Sequence, residues 1–346
     1  MDQIHQKNHI YIWLLISCTL LIVLIWVGGL TRLTGSGLSI TQWEIFSGIL
    51  PPFTDQQWSK YFSLYKQIPE YKKINYGMSL NEFKIIFWWE YIHRFLARFL
   101  VIIYFLPFIY FAITKQIKKN KITFFTIIFF LFLTQGFIGW YMVKSGLVSE
   151  TDVSHFRLAA HLSLALIIYS MIFWSLLNVN FNMSLTFKTE TTLIFILFLF
   201  VLIQIVWGAF TSGLNAGLLY QTWPLMNENF IADDIEINKL ISFLSISNPS
   251  YVQLIHRFLA YFIILYSLVI YFLYFRKKKI TKPFKFIFTA LSIQIILGIL
   301  TLTSGLNIFI ASLHQMGSIF LISSIIYAIF YANNFQNLID TQLYKQ

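Results

Sequence analysis

The sequence predicts an all-α polytopic membrane protein. Eight transmembrane helices are expected, as two tandem four-helix bundles related by a pseudo-two-fold axis along the membrane normal. Three observations carry this expectation. Of 346 residues, 58% are hydrophobic and only 11% are charged, against about 25% charged in a soluble globule. Eight apolar stretches each approach the roughly 20 residues that a helix needs to cross a bilayer. Short strings of residues also recur in the two halves of the chain.

The stretches cover about residues 10–30, 88–112, 122–143, 157–178, 190–211, 251–275, 284–303 and 309–332. In lipid every backbone polar group must be satisfied within the segment, so these are helices, and the period-2 alternation of a membrane barrel is absent. The first stretch is too long for a signal-peptide core and no small-x-small cleavage site follows it, so it is expected to be retained. It contains Cys18, the only cysteine, which rules out an intrachain disulfide and reads as a small buried residue. The first connection, about 31–86, is long. With Pro51-Pro52, Trp43 and Trp58, it is expected to form short helices over the membrane face, with about 212–250 as its counterpart.

Charge sets the topology. Lys115, Lys118, Lys119 and Lys121 crowd the second connection, and Arg276, Lys277, Lys278, Lys279, Lys282 and Lys285 the sixth. Glu228, Asp233, Asp234 and Glu236 face only Lys239 in the fifth. Short basic loops stay cytoplasmic, so both termini are expected inside. The net charge of +11 is then a topology signal and not a nucleic-acid surface.

The pentapeptide His93-Arg94-Phe95-Leu96-Ala97 recurs as His256-Arg257-Phe258-Leu259-Ala260. Gln135, Gly139, Ser145, Gly146 and Leu147 match Gln294, Gly298, Ser304, Gly305 and Leu306, while Gly28, Gly37, Leu38 and Trp43 match Gly208, Gly217, Leu218 and Trp223. The halves are expected at 1–182 and 183–346, joined by a polar linker near Asn178–Lys188. Four helices return the chain to its starting side, so both halves share one orientation. Gly28, Gly29, Gly136, Gly139, Gly208 and Gly298 gather at the outer ends of odd-numbered helices. Close helix packing and a broad flat ligand both call for small residues there.

His93, His161, His256 and His314 each lie near the start of an even-numbered helix, which places all four in the outer part of the membrane, two per half. Ionisable groups there are costly and mark function. Imidazole suits zinc, copper, nickel and iron. No acidic ligand box accompanies the four, and two histidines on facing helices can clasp a porphyrin iron from both sides. His155 competes with His161, but His161 lies inside its helix and pairs with His314 in the repeat. Arg94 and Arg257 could meet porphyrin propionates as guanidinium forks, or snorkel to the surface. Three residues before each repeated histidine stand Glu90 and Gln253, on the histidine's own helix face. A carboxylate at one copy and an amide at the other suggest that one pocket does chemistry and the other handles electrons. The plain alternative for Glu90 is an interfacial charge favoured by the helix dipole.

The strings Val27-Gly-Gly-Leu-Thr-Arg-Leu-Thr-Gly-Ser-Gly-Leu-Ser39, Glu90-Tyr-Ile-His93-Arg94, Arg157-Leu-Ala-Ala-His161 and Gly217-Leu-Leu-Tyr-Gln-Thr-Trp-Pro224 together resemble the haem A synthase family, in its proteobacterial and mitochondrial branch. The resemblance covers nearly the whole chain. It implies oxidation of the C8 methyl group of haem O to the formyl group of haem A, by two hydroxylations through haem I and a dehydration, for cytochrome oxidase biogenesis. It implies His256 and His314 as ligands of a cofactor haem b, His93 and His161 as the substrate haem site, and Glu90 as the essential carboxylate. It also implies a bacterial inner membrane, a haem O synthase as donor, an electron acceptor it does not identify, and room for a homo-oligomer. The outer-loop cysteine pair of some bacterial members is absent. A membrane b-type cytochrome that only carries electrons is the alternative, but it would place haems near opposite faces. A transporter with parallel repeats would need a polar path through the midplane.

Overall fold

A computed structural model describes residues 2–42, 47–147, 151–181, 184–236, 238, 246–277 and 281–334. Each apolar stretch is a helix. The order is α1 (Asp2–Leu33), α2 (Asp55–Tyr65), α3 (Pro69–Lys73), α4 (Leu80–Ile113), α5 (Lys119–Gly146), α6 (His155–Leu177), α7 (Thr189–Gly213), α8 (Pro249–Ile270), α9 (Lys282–Thr303) and α10 (Ile308–Asn333). All but α2 and α3 are long and apolar enough to cross a membrane, eight in number, as in a multi-pass membrane protein. No β-strand occurs among the described residues. Trp43, Lys239, Lys278, Lys279 and the expected boundary at 182–183 lie outside the described residues.

Local chemistry explains where the helices start. Helix α4 begins at Leu80, about two turns before the apolar stretch. Ser79 caps it, its hydroxyl accepting from the Glu82 amide while the Glu82 carboxylate accepts from the Ser79 amide. Asn81, Glu82 and Lys84 make that first turn polar, so hydropathy alone places the start too late. Pro107 lies inside α4 without ending it, which transmembrane helices tolerate. The Asn248 side chain accepts from the Ser250 and Tyr251 amides at the start of α8, with Pro249 at the first helical position. Asn307 does the same for α10.

Two compact units divide the chain, residues 15–168 and residues 1–14 with 169–346. In the first, α2 lies against α4, and the long connection folds as an apolar cap built on Leu38, Trp58, Phe62, Tyr65, Phe83 and Phe87. Phe62 stacks on Phe83 with ring centroids 5.1 Å apart, and Trp58 meets Phe87 edge-on at 5.0 Å. Gly146 lets Leu38 close in, since a methyl on it would stand 2.9 Å from Leu38 Cδ2. In the second unit α7 lies against α8 and α10, and α9 against α10. A smaller cap joins Met226, Ala232, Ile235, Tyr251 and Leu254. Cys18 is a buried thiol, as expected.

Helix α3 turns Glu70 and Tyr71 into the first cap and leaves Lys72 and Lys73 exposed. The Tyr65 hydroxyl donates to the Glu70 carboxyl and itself accepts from Asn75 Nδ2 at 2.7 Å. Burial, then the carboxylates of Glu90 and Asp152, push the Glu70 carboxyl up to about 8. The folded chain therefore keeps a proton that the unfolded chain releases near the ordinary value of 4.5. Stability falls as pH rises through that window. The melting temperature of purified protein should drop between about pH 5 and pH 8, and Glu70→Gln should flatten the slope. An equal slope in both proteins would show that Glu70 carries no such proton.

Candidate functional site

The four histidines share one local construction. His93 on α4, His161 on α6, His256 on α8 and His314 on α10 each set the imidazole against a glycine of the preceding long helix: Gly28, Gly139, Gly208 and Gly298 respectively. A methyl at those glycines would stand 2.9, 2.9, 3.1 and 3.0 Å from the ring Cε1. No larger residue fits without displacing the ring. Within each pair the imidazoles are near enough to interact electrostatically, His93 with His161 and His256 with His314. All four residues are half-buried and the Nδ1 of each is sealed from solvent; the rings of His93, His256 and His314 stand within hydrogen-bonding reach of the backbone of Leu24, Gln204 and Gln294, one turn before the cradle glycine. An imidazole that ligates a metal with one nitrogen usually turns the other to a backbone carbonyl, a carboxylate or water. Four rings seated alike at matched positions suit one shared task, presenting a nitrogen to a ligand.

The donor set narrows that ligand. Among the described residues no three metal-ligating side chains come together. Each pair offers two imidazoles, short of the three or four protein ligands of a zinc site. Two imidazoles per pair suit a macrocycle that brings its own remaining metal ligands. The residues present fit a haem.

Glutamines brace the histidine backbones. Gln135 Nε2 donates to the His161 carbonyl and Gln204 Nε2 to the His256 carbonyl, both at 2.9 Å. Each lies one turn before a cradle glycine, as does Gln294 before Gly298. Gln294 sits close to α10 because Gly317 has no side chain to meet its Oε1. Leu24 takes the equivalent place before Gly28, so His93 has no amide of this kind. The repeat had marked Gln135 and Gln294, but not their task. The triple recurrence of Gln-x-x-x-Gly was the signal for it.

Glu90 is buried beneath the segment that follows α1, with 3% of its surface exposed. Its Oε2 accepts from the Ser39 hydroxyl at 2.7 Å and the Ile40 amide at 2.8 Å. Its Oε1 accepts from Arg94 Nε at 3.0 Å and from Arg94 Nη2. Arg94 Nη2 also donates to the Ile40 carbonyl at 3.0 Å. In the second half Gln253 Nε2 and Arg257 Nη2 both donate to the Tyr220 carbonyl at 2.9 Å, and Arg257 Nη1 reaches the Leu225 carbonyl at 3.1 Å. Tyr220 stands in the repeat where Ile40 stands. The scaffold is thus the same, but one copy holds an ion pair and the other a neutral amide beside an arginine. Ser39 and Ile40 were not foreseen. The His155 ring lies tilted by 37° against that of Phe156, with centroids 4.0 Å apart.

Gly208→Ala and Gly298→Ala should each displace an imidazole and lower the haem content of purified protein about 10-fold or more, by analogy with lost supports around metal ligands. Gly136→Ala, where a methyl meets nothing within 4 Å, should leave it unchanged. Pyridine haemochrome spectra per mole of protein read both, and full haem content in the first two variants would sink the cradle.

Comparison with known proteins agrees with this geometry. The family model described as cytochrome oxidase assembly protein matches residues 11–326. A protein named haem A synthase from Pelagibacter ubique is 48% identical over 329 residues, covering 94% of this chain and 97% of that one. Proteins of the same name from Rickettsia felis and Rickettsia rickettsii are 44% and 42% identical, covering 94% and 95% of this chain and 98% and 100% of theirs. With the match running through both histidine pairs, the chain belongs to the haem A synthase family of cytochrome oxidase assembly proteins.

Proposed function

We propose that this protein is a haem A synthase, oxidising one methyl group of haem O, at C8, to the formyl group of haem A. One observation carries the reading of its two halves: Glu90 and Gln253 occupy equivalent places beside equivalent histidines, and only the first is a carboxylate, held by Ser39, Ile40 and Arg94. The first half, 1–182, takes the substrate haem between His93 and His161. The second half, 183–346, holds a resident haem b between His256 and His314. When bound, that haem b supplies one-electron redox chemistry. The protein sits in a bacterial inner membrane with both termini cytoplasmic, as its basic loops direct.

The chain's own groups do the rest. The glycine cradles fix the imidazoles laterally, and Gln135 and Gln204 fix the carbonyls of the helices that carry them. The cleft lined by Ile40, Phe87, Tyr91, Arg94 and Arg98 offers two guanidinium groups to the substrate's propionates. Arg257 offers the matching edge in the second half. The farnesyl tail stays among the lipid-facing side chains. Glu90 takes the proton that leaves the reacting methyl group, its carboxylate aimed by four hydrogen bonds. The aromatic cap limits water at the carboxylate. A carrier that only passed electrons would have no use for an aimed carboxylate in one half alone.

Coexpression with a haem O source tests these roles. Glu90→Ala should keep the haem b spectrum and lower haem A formation at least about 100-fold. Normal haem A from that variant would remove Glu90 from the chemistry. His256→Ala or His314→Ala should alter the haem b spectrum, and an unchanged spectrum would move the cofactor to the first half.

A further inference from the structure

A second buried carboxyl stands close to the first and has no part in the scheme above. Glu70 is 6% exposed, and its Oε2 is sealed from solvent without a hydrogen-bond partner among the described residues. The charged and titratable groups that face it come from four parts of the fold: Arg32 of α1, Tyr65 of α2, Glu90 of α4, and Asp152 just before α6. Arg32 is held by Asp152 at 3.1 Å, and Glu90 by Arg94. Among the described residues, Glu70 is the carboxyl of this group that forms no ion pair. Its helix also spans the cap: Glu70 points in beside Tyr71, and the next residues, Lys72 and Lys73, are in solvent. The short helix therefore joins the buried side of the cap, where Glu70 is near enough to Glu90 to interact with it electrostatically, to solvent. A structural carboxylate buried at this depth would be expected to carry a salt bridge or several amide donors. Glu70 has one donated hydrogen bond from Tyr65, a setting in which a carboxyl can gain and lose a proton near neutral pH.

We propose that Glu70 is a second proton-carrying group for this reaction, passing protons between Glu90 and the water outside the cap. The proposal rests on reading Glu90 as the group that takes a proton from the substrate. In the step itself, Glu70 first releases its own proton to water, and the carboxylate so formed takes the proton of protonated Glu90. In that transfer one O–H bond breaks, another forms, no electrons move, and Glu90 is again a carboxylate. Glu70 is then protonated as at the start. The electrons of the substrate C–H bond leave by the haem route and do not enter this step. A group that holds its proton up to about 8 is matched to accepting and releasing one near neutral pH. Among the described residues of the second-half cap, Asp234 is exposed and accepts from the Tyr220 and Ser250 hydroxyls, a carboxylate at the surface and not a buried one like Glu70.

The test uses the full-length protein in membranes of cells that make haem O, with haem A formed per bound haem b measured over about pH 6 to 9. Glu70→Gln should slow haem A formation about 10-fold or more and remove the pH-dependent limb, with the haem b spectrum unchanged. Glu70→Asp should restore most of the rate with the limb moved to lower pH, which a purely structural role would not do. Wild-type rate and profile in Glu70→Gln would overturn the proposal. If Glu70→Gln does not accumulate, infrared titration of the wild type and Glu70→Asp decides. A protonated-carboxyl band that disappears near pH 8 and shifts in the Asp variant supports the assignment, and its absence overturns it. Glu90→Gln, assayed alongside, separates the two ideas. An active Glu90→Gln removes the premise, whereas an inactive Glu90→Gln beside a normal Glu70→Gln removes the Glu70 role alone.

Discussion

The contact on which both histidine pairs depend is an imidazole seated against a glycine of the preceding helix. It occurs at Gly28, Gly139, Gly208 and Gly298. Glycine inside a helix costs about 1 kcal/mol relative to alanine in water-soluble hosts. Four such sites in otherwise apolar helices are hard to explain by packing alone, since alanine would pack nearly as closely. The missing methyl group leaves room for the ring, and the backbone one turn before the glycine lies within hydrogen-bonding reach of the rings of His93, His256 and His314. The glycine and the histidine therefore form one unit, repeated four times.

On that shared frame the two halves differ by a small chemical change. Both hang an arginine on a carbonyl in the segment that follows the first helix of the half, that of Ile40 or Tyr220. Glu90 converts this arrangement into an ion pair sealed by Ser39 and the Ile40 amide. A charge pair taken out of water is stable only when its remaining hydrogen-bonding capacity is filled, and four donated hydrogen bonds fill it here. Gln253 needs no such support. One carboxylate exchanged for one amide is enough to make two similar pockets chemically unequal.

The sequence made the eight helices legible because lipid imposes a crude rule, about 20 apolar residues per crossing. The four histidines were legible because duplication repeats them at equivalent places. Other features were hidden for physical reasons. The early start of α4 depends on a capping box that hydropathy does not register. The glycines were visible as a group at the outer helix ends, but not the particular ring each receives. The Ile40 amide is a main-chain group, and no residue type marks it. Glu70 reads as one more charge in a polar loop with Lys72 and Lys73, and only the folding of α2 and α3 onto α4 buries it.

The claim that ties these features together is that one chain holds two haems in unequal sites, one resident and one being converted. Chromatography of the haems extracted from purified wild-type protein, made in cells that supply haem O, tests it most directly. The account predicts haem B together with haem O or haem A in the same preparation. Haem B alone would point to a cytochrome that only carries electrons, and a preparation without haem would contradict the account altogether.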